Sequence, residues 1–425
     1  MISLLPLFLV MDRIGANRKS GWKRRLGHVL IACWATGVVA ALIAVPWLTY
    51  AARVFGGFSR PIALVITGLG YGSEVALVLF ICFGVPVLFI RRRGCWEILV
   101  RLSFFLMVEP FCPRIFDWSF GGMTFTQFPW LSQMADVVGS ARLGMYSIGC
   151  SLLLLLIWRW KVEQLPVPVK TIRRLVASYL ILWAVGLSYG AWRTQSLQNR
   201  SETGSPLHVA ALQPNLSFQQ LARSASDYSA REAGVRRLLA DSANALSSFP
   251  ADSPVPRLVV WPESTYPSPY FKEAALRPLV EDFARRHRTS VLLHSIDWDQ
   301  THQGRKYYGV ALLIGPDGSV KGRYNKIFRI PFGEYIPGAE LFPAYANWLR
   351  EHVSNLSEFE KGREFTVFQL SDDLRFSAPI CFDVFSSTIV RNMSRNGAEL
   401  AINLCNLIWF GRTTAADHLQ MTVRW

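Results

Sequence analysis

RLVVWPESTYPSPYFKEAALRPLVEDFARRHRTSVLLHSI, residues 257–296, decides the fold of the C-terminal half. RLVVWPE (257–263) and SVLLHSI (290–296) are short β-rich runs, and residues 272–287 between them read as a helix. The same alternation extends on both sides. LHVAALQ (207–213) precedes a predicted helix over 227–248. YGVALLIG (308–315), FTVFQL (365–370), RFSAPIC (375–381) and ELAINLC (399–405) follow. Pro316-Asp317-Gly318 marks a hairpin turn into a further run at 319–324. Strands interleaved with helices predict an α/β domain over 207–425, long enough to bury a real core.

Upstream the pattern changes. Apolar runs lie at about 27–50, 61–90, 96–112, 139–158 and 175–193. Several reach the ~20 residues that cross a bilayer, so the sequence predicts five spans within a helical domain, 1–193. A polar linker, 194–206, joins it to the second domain. Run 61–90 is too long for a simple span and carries Glu74; run 96–112 carries Glu97, Arg101 and Glu109. An ionisable residue in a span is either functional or turned into the bundle interior, and both readings stand for these. MISLLPLFLVM at the start is apolar but short, with its basic residues after it rather than before, as at the end of a helix.

The chain has 425 residues, 51% apolar and 18% charged, which excludes a disordered chain or a small disulfide scaffold. Its net charge of +15 is uneven: residues 1–200 carry +14 and residues 201–425 carry +1. A nucleic-acid reader concentrates charge on a soluble face, so this distribution argues against nucleic acid as a partner. Basic-rich segments (12–26, 91–93, 159–174) alternate with poor ones (51–60, 113–138). By the positive-inside rule the rich segments are cytoplasmic, and residue 194 onward emerges on the far side.

Seven cysteines include no CxxC pair, so no zinc or thioredoxin-type motif is expected. Three polar residues at strand ends or in the following loops carry candidate chemistry: Glu263 in VVWPES, Lys326 in RYNKIFRIPFGEYIP and Cys381 in APICFDVF. Each taken alone reads as solvated or, for the cysteine, as inert core. Together they supply what cysteine chemistry on an acyl group needs: a nucleophile, a base for its proton and a donor for the oxyanion. A helix after the strand ending at Cys381 stabilises a thiolate at its N-terminus.

Those segments, in that order, resemble the nitrilase (carbon–nitrogen hydrolase) superfamily with its Glu-Lys-Cys triad. WPES, YNK…PFGEYIP, ICFD, NLIWFG, the FPW at 128–130 and the HLQM at 418–421 are similar to the apolipoprotein N-acyltransferases of bacteria. The resemblance implies a multi-span membrane domain followed by an extracytoplasmic α/β domain of the nitrilase αββα sandwich type. It implies a location in the bacterial inner membrane with residues 194–425 outside. Beside that family the chain is expected to be clipped at both ends, with the C-terminal part of the sandwich missing.

The implied reaction moves an acyl chain from a phospholipid to the N-terminal amine of a diacylated apolipoprotein. In it Cys381 forms a thioester, Glu263 is the general base and Lys326 stabilises the oxyanion. Glu334, in PFGEY, matches a further family glutamate, and Trp130 matches the tryptophan of the FPW loop. Phe382 and Asp383 stand where the family reads Tyr-Glu, and are expected to support the site. No cofactor and no metal is implied. Two other readings stay open: a membrane-anchored amidase with water as acceptor, and a non-catalytic remnant that binds lipid or lipoprotein. Five spans and the FPW loop favour the transferase.

Overall fold

The computed structural model describes residues 4–17, 19–90, 94–112, 114, 125, 128–201, 205–250, 253–302, 304–353 and 356–418. The chain divides into two compact units, Met1–Thr203 with Phe410–Trp425, and Gly204–Trp409.

Among the described residues of the helical unit, four helices are long and apolar enough to cross a membrane: Trp22–Ala44, Arg60–Phe89, Ser140–Lys161 and Val169–Asn199. Five such spans are expected from the sequence. The difference is the run 96–112, where the α-helix covers only Cys95–Val108 and gives way to a 3₁₀ turn, Glu109–Phe111. At 1.5 Å per residue its 14 residues reach about 21 Å, against a hydrocarbon core of about 30 Å. Pro110 accounts for the break, since it has no N–H to donate to the carbonyl of Leu106 and its ring crowds that carbonyl. The long run 61–90 stays helical throughout by absorbing two π-helical turns, Ile66–Tyr71 and Phe80–Gly84. Helix Trp22–Ala44 lies so close to it that a Cβ on Gly37 would collide with the backbone at Gly72, the small-residue contact by which helices approach in a bilayer.

Charges inside this unit are paired. Arg159, fully buried, donates from Nε to Asp12 Oδ2 at 2.8 Å and from Nη1 to Glu97 Oε2 at 2.8 Å. Arg101 pairs with Glu97 one turn away. Two acids and two bases therefore neutralise one another where an unpaired charge would be costly. Glu97 and Arg101 face the bundle interior, and Glu109 pairs with Arg114 at 2.5 Å. The last helix runs from Val169 to Ser201, through most of the stretch expected to be a linker. Gln, Arg, Ser and Leu there tolerate helix, and no Gly or Pro intervenes before Gly204. In the returning segment, Trp47 Nε1 donates to His418 Nδ1 at 3.3 Å and the Trp47 ring meets Phe410 edge-on at 5.1 Å. The rest of HLQM lies outside the described residues.

The described residues of the second unit form two sheets. The first orders β1 (His208–Ala211), β2 (Arg257–Val260), β3 (Ser290–Thr301), β4 (Gly304–Ile314) and β5 (Val320–Asn325). β1, β2 and β3 pair in parallel and β3, β4 and β5 antiparallel. The second orders β6 (Phe368–Ser371), β7 (Leu374–Ser377) and β8 (Leu400–Ala401). The predicted helices appear as Tyr228–Leu246 and Arg277–His287; Asp227 caps the first by accepting from the Ser229 and Ala230 N–H groups. Their faces, through Val235, Leu238, Val280 and Phe283, pack on Val259, Val291, Leu293 and Leu312. The intervening Leu258, Leu292 and Leu313 are buried as well, so the centre of the first sheet is covered on both faces, as its near-continuous apolar runs require. The β4–β5 turn closes at the predicted Pro316-Asp317-Gly318, where Gly318 N–H donates to Gly315 O at 2.8 Å with φ +76.

Candidate functional site

Three backbone devices at the strand ends aim the candidate residues inward. After β2, Trp261 is buried, its Nε1 donating to Ser242 Oγ at 3.0 Å. The chain then turns at Glu263 and Ser264, with Ser264 in the left-handed region at φ +63. That turn is pinned from β3, because the Ser264 N–H donates to His294 Nδ1 at 3.1 Å. After β5, Lys326 donates its N–H to Gly309 O at 2.9 Å, and its carbonyl accepts from Gly362 N–H at 2.8 Å. A Cβ on Gly362 would run into the Asn325 carbonyl, so only glycine lets that strap lie against the lysine backbone. After β7, Ile380 bridges in parallel to Leu404, and the Cys381 N–H donates to Leu404 O at 2.8 Å. Cys381 itself has φ +51 and opens a 3₁₀ turn, Cys381–Phe385, followed by helix Ser387–Arg395. A residue other than glycine held at positive φ is strained, and such strain clusters at functional sites.

These devices bring five of the seven candidate residues together. Lys326 Nζ lies 2.6 Å from Glu334 Oε1 and 3.5 Å from Glu263 Oε1. Glu263 Oε2 accepts from the Asn406 N–H at 3.1 Å, and Glu334 Oε2 accepts from the Ile330 N–H at 2.9 Å. A Glu263 carboxylate oxygen, Cys381 Sγ and Cys405 Sγ all lie within 4.8 Å of one another. The Cys405 thiol donates to Cys381 Sγ at 3.7 Å. Asp383, fully buried, accepts four hydrogen bonds: Tyr324 Oη at 2.8 Å and Ile380 N–H at 2.9 Å on Oδ2, Phe328 N–H at 2.7 Å and Ile327 N–H at 3.3 Å on Oδ1. It therefore fastens the cysteine turn to the lysine loop. Phe382 is buried against Phe385, ring centres 4.7 Å apart. Trp130 belongs to the helical unit, 54% exposed in the short helix Pro129–Ser132.

Electrostatics sort the groups by role. Burial raises the Glu263 carboxyl, opposed by Lys326 and by hydrogen bonds from Cys381 and Asn406. Burial also works against the Lys326 charge, but Glu334, Glu263, Cys381 and Asp383 overcome it and hold the ammonium well above its ordinary value. Its hydrogen bond with Cys405, then burial, keeps the Cys381 thiol well above the ordinary thiol range. Burial pushes Asp383 up to about 6, with Lys326 and its hydrogen bonds pulling the other way. His294 is driven down to about 3 by burial and by the Lys326 charge, so it is neutral. A protonated thiol, a carboxylate poised to take its proton and a fixed ammonium form the set that nucleophilic acyl chemistry uses.

Sequence reasoning missed His294, Tyr324 and Asn406. A polar residue amid the apolar run SVLLHSI was the signal for His294. Asn406 opens the NLIWFG stretch, but its contribution is a backbone N–H, which no side chain signals.

Comparison with known proteins follows the same division. The family model of the carbon-nitrogen hydrolases matches residues 208–425, and that of the apolipoprotein N-acyltransferase N-terminal domain matches residues 1–153. The apolipoprotein N-acyltransferase of Geobacter metallireducens is 28% identical over 99% of this chain and 76% of its own length. That of Chlorobaculum tepidum is 25% identical over 96% of this chain and 74% of its own. Among solved structures, a mutant of the amidase from Nesterenkonia sp. AN1 aligns with a TM-score of 0.30 at 15% identity, covering 47% of this chain and 67% of that one. The chain belongs to the carbon-nitrogen hydrolase family.

Proposed function

We propose that this family member is a membrane acyltransferase that moves an acyl chain from a phospholipid to the N-terminal amine of a diacylglyceryl-cysteine apolipoprotein. The observation that carries the reading is the convergence of Glu263, Lys326 and Cys381 in one buried cluster, in a chain whose described residues also include four apolar helices of spanning length. The names of its curated relatives supply the substrate class.

In the proposed first step Glu263 takes the Cys381 proton as sulfur attacks the ester carbonyl of the lipid. Charge gathers on the carbonyl oxygen, opposite the Lys326 ammonium. The carbon–oxygen bond then breaks, the lysophospholipid leaves with the proton from Glu263, and a thioester remains on Cys381. In the second step the acceptor amine attacks the thioester, its proton passes to Glu263 and on to the departing sulfur, and the amide is released. Glu334 holds the lysine, Asp383 and Phe382 support the cysteine turn, and Trp130 contacts substrate at the membrane side. No cofactor or metal takes part in these steps.

For the membrane, the reading is the inner membrane with residues 194–425 outside the cytoplasm. The basic-rich segments motivate it. The Arg159–Glu97 ion pair supports it, because it sets the end of helix Ser140–Lys161 beside the start of helix Cys95–Val108. Those two helices then run in opposite directions, and the shorter one takes the chain across. Alkaline phosphatase fused after residue 205 should be active and fused after residue 165 inactive; the reverse pattern overturns the sidedness.

The activity test isolates the acyl-enzyme in detergent and divides it. One half receives buffer and the other a synthetic diacylated lipopeptide with a free N-terminal amine. Label lost only with lipopeptide, and recovered as amide, supports transfer. Equal loss in both halves, recovered as free fatty acid, makes the protein a hydrolase.

A further inference from the structure

Cys405 takes no part in the proposed reaction, yet its sulfur sits 3.7 Å from that of Cys381. Two zinc–sulfur bonds of about 2.3 Å at the tetrahedral angle hold their sulfurs about 3.8 Å apart. The two cysteines already stand at that separation. Their backbones are fixed there by the Ile380–Leu404 bridge and the Cys381 N–H to Leu404 O hydrogen bond. A third donor stands beside them, since a Glu263 carboxylate oxygen lies within 4.8 Å of both sulfurs. Two thiolates and one carboxylate suit zinc, with the fourth position left to water.

The surrounding charge fits the same ion. A divalent cation bound by two thiolates and a carboxylate leaves a net charge of about −1. The Lys326 ammonium, 3.5 Å from Glu263 Oε1, balances that charge. Lys326 keeps Glu334 as its own partner at 2.6 Å, so it need not move to admit the metal. Glu263 stays aimed, because its Oε2 is held by the Asn406 N–H.

We propose that Cys381, Cys405 and Glu263 form a zinc site, and that zinc bound there blocks acylation by occupying the nucleophile and the base. On binding, both thiols release their protons to buffer and two zinc–sulfur bonds form; no redox change is involved. The inhibitory half of the proposal rests on the reading of Cys381 as nucleophile, and the binding half does not.

The test uses the full-length protein in detergent, stripped with chelator. Zinc uptake is measured by equilibrium dialysis, and cobalt is used as a spectroscopic stand-in whose thiolate charge-transfer absorption reports sulfur ligation without any catalysis. One zinc per chain, a cobalt–thiolate band and parallel loss of acyl-enzyme formation are expected. Cys405→Ser should still form the acyl-enzyme, now insensitive to zinc. Its zinc affinity should fall by more than about 100-fold, since loss of an outer-shell partner alone costs ~10–100-fold. Cys405→Ala serves if the serine variant does not fold, judged by its melting curve. Equal zinc affinity in wild type and both variants, or no cobalt–thiolate band in wild type, overturns the proposal. A clear band in a protein that never forms an acyl-enzyme would defeat the functional reading and leave the metal site standing.

Discussion

Lowering the pH from 7.5 to 5 should destabilise the α/β unit through His294. The ring is buried, its Nδ1 accepts from the Ser264 N–H, and Lys326 is the charged group that presses on it. Burial and that ammonium depress it from 6.5 to about 3 in the folded chain. Between those values the unfolded chain binds a proton and the folded chain does not, so stability rises with pH across the window. The contribution is complete above 6.5 and is lost progressively as pH falls toward 3. At pH 5 the loss is about 2 kcal/mol, growing by about 1.4 kcal/mol for each further unit. For a unit of this size that is a fall of about 4–8 °C in melting temperature. His294→Asn keeps an acceptor near Nδ1 and removes the titration. Melting curves of both proteins in detergent, taken from pH 7.5 to 5, should diverge in slope by that amount. Parallel slopes would refute the assignment of His294 as a buried neutral ring. The folded ring itself stays neutral until pH falls toward 3, so its hydrogen bond from Ser264, and the turn that aims Glu263, should persist in the folded protein across this window.

Two further substitutions test the supports. In Asp383→Asn, whichever oxygen becomes NH2 meets donors: Ile327 and Phe328 N–H on one side, Ile380 N–H and Tyr324 Oη on the other. Only the tyrosine can turn and accept, so at least one donor is stranded, at about 1–3 kcal/mol; thermal melting should show it, with slower acyl-enzyme formation as the two loops part. Arg159→Met removes the buried guanidinium that joins Asp12 to Glu97, and breaking a buried pair costs about 3–5 kcal/mol; a wild-type melting temperature in detergent would show that the cluster does not hold the helices.

The α/β alternation was legible because each strand of 207–325 is an apolar run bounded by turn residues, and Pro316-Asp317-Gly318 allows little but a turn. Glu263, Lys326 and Cys381 stood out because each is a polar interruption at or just beyond a strand end. Their mutual distances were not legible, since the three residues lie 55 to 118 positions apart along the chain. His294 was hidden by its strand: a lone polar residue among apolar ones reads as core. Asp383 was expected to support the site, but its part as a fastening between loops was not legible, since three of its four donors lie more than fifty residues away in sequence. In the helical unit, hydropathy located the apolar runs but not their ends. The π turns in 60–89 and the early stop at Val108 come from packing and from Pro110, to which a hydropathy window is blind.

The central claim is that Cys381 becomes acylated, and it is tested by incubating the wild-type protein and Cys381→Ala with a phospholipid labelled in its acyl chain. Wild type should carry a hydroxylamine-sensitive adduct, Cys381→Ala none, and Glu263→Gln should form it slowly while keeping its melting temperature. Label that persists on Cys381→Ala, and disappears only when Cys405 is also replaced, would contradict the account by making Cys405 the nucleophile.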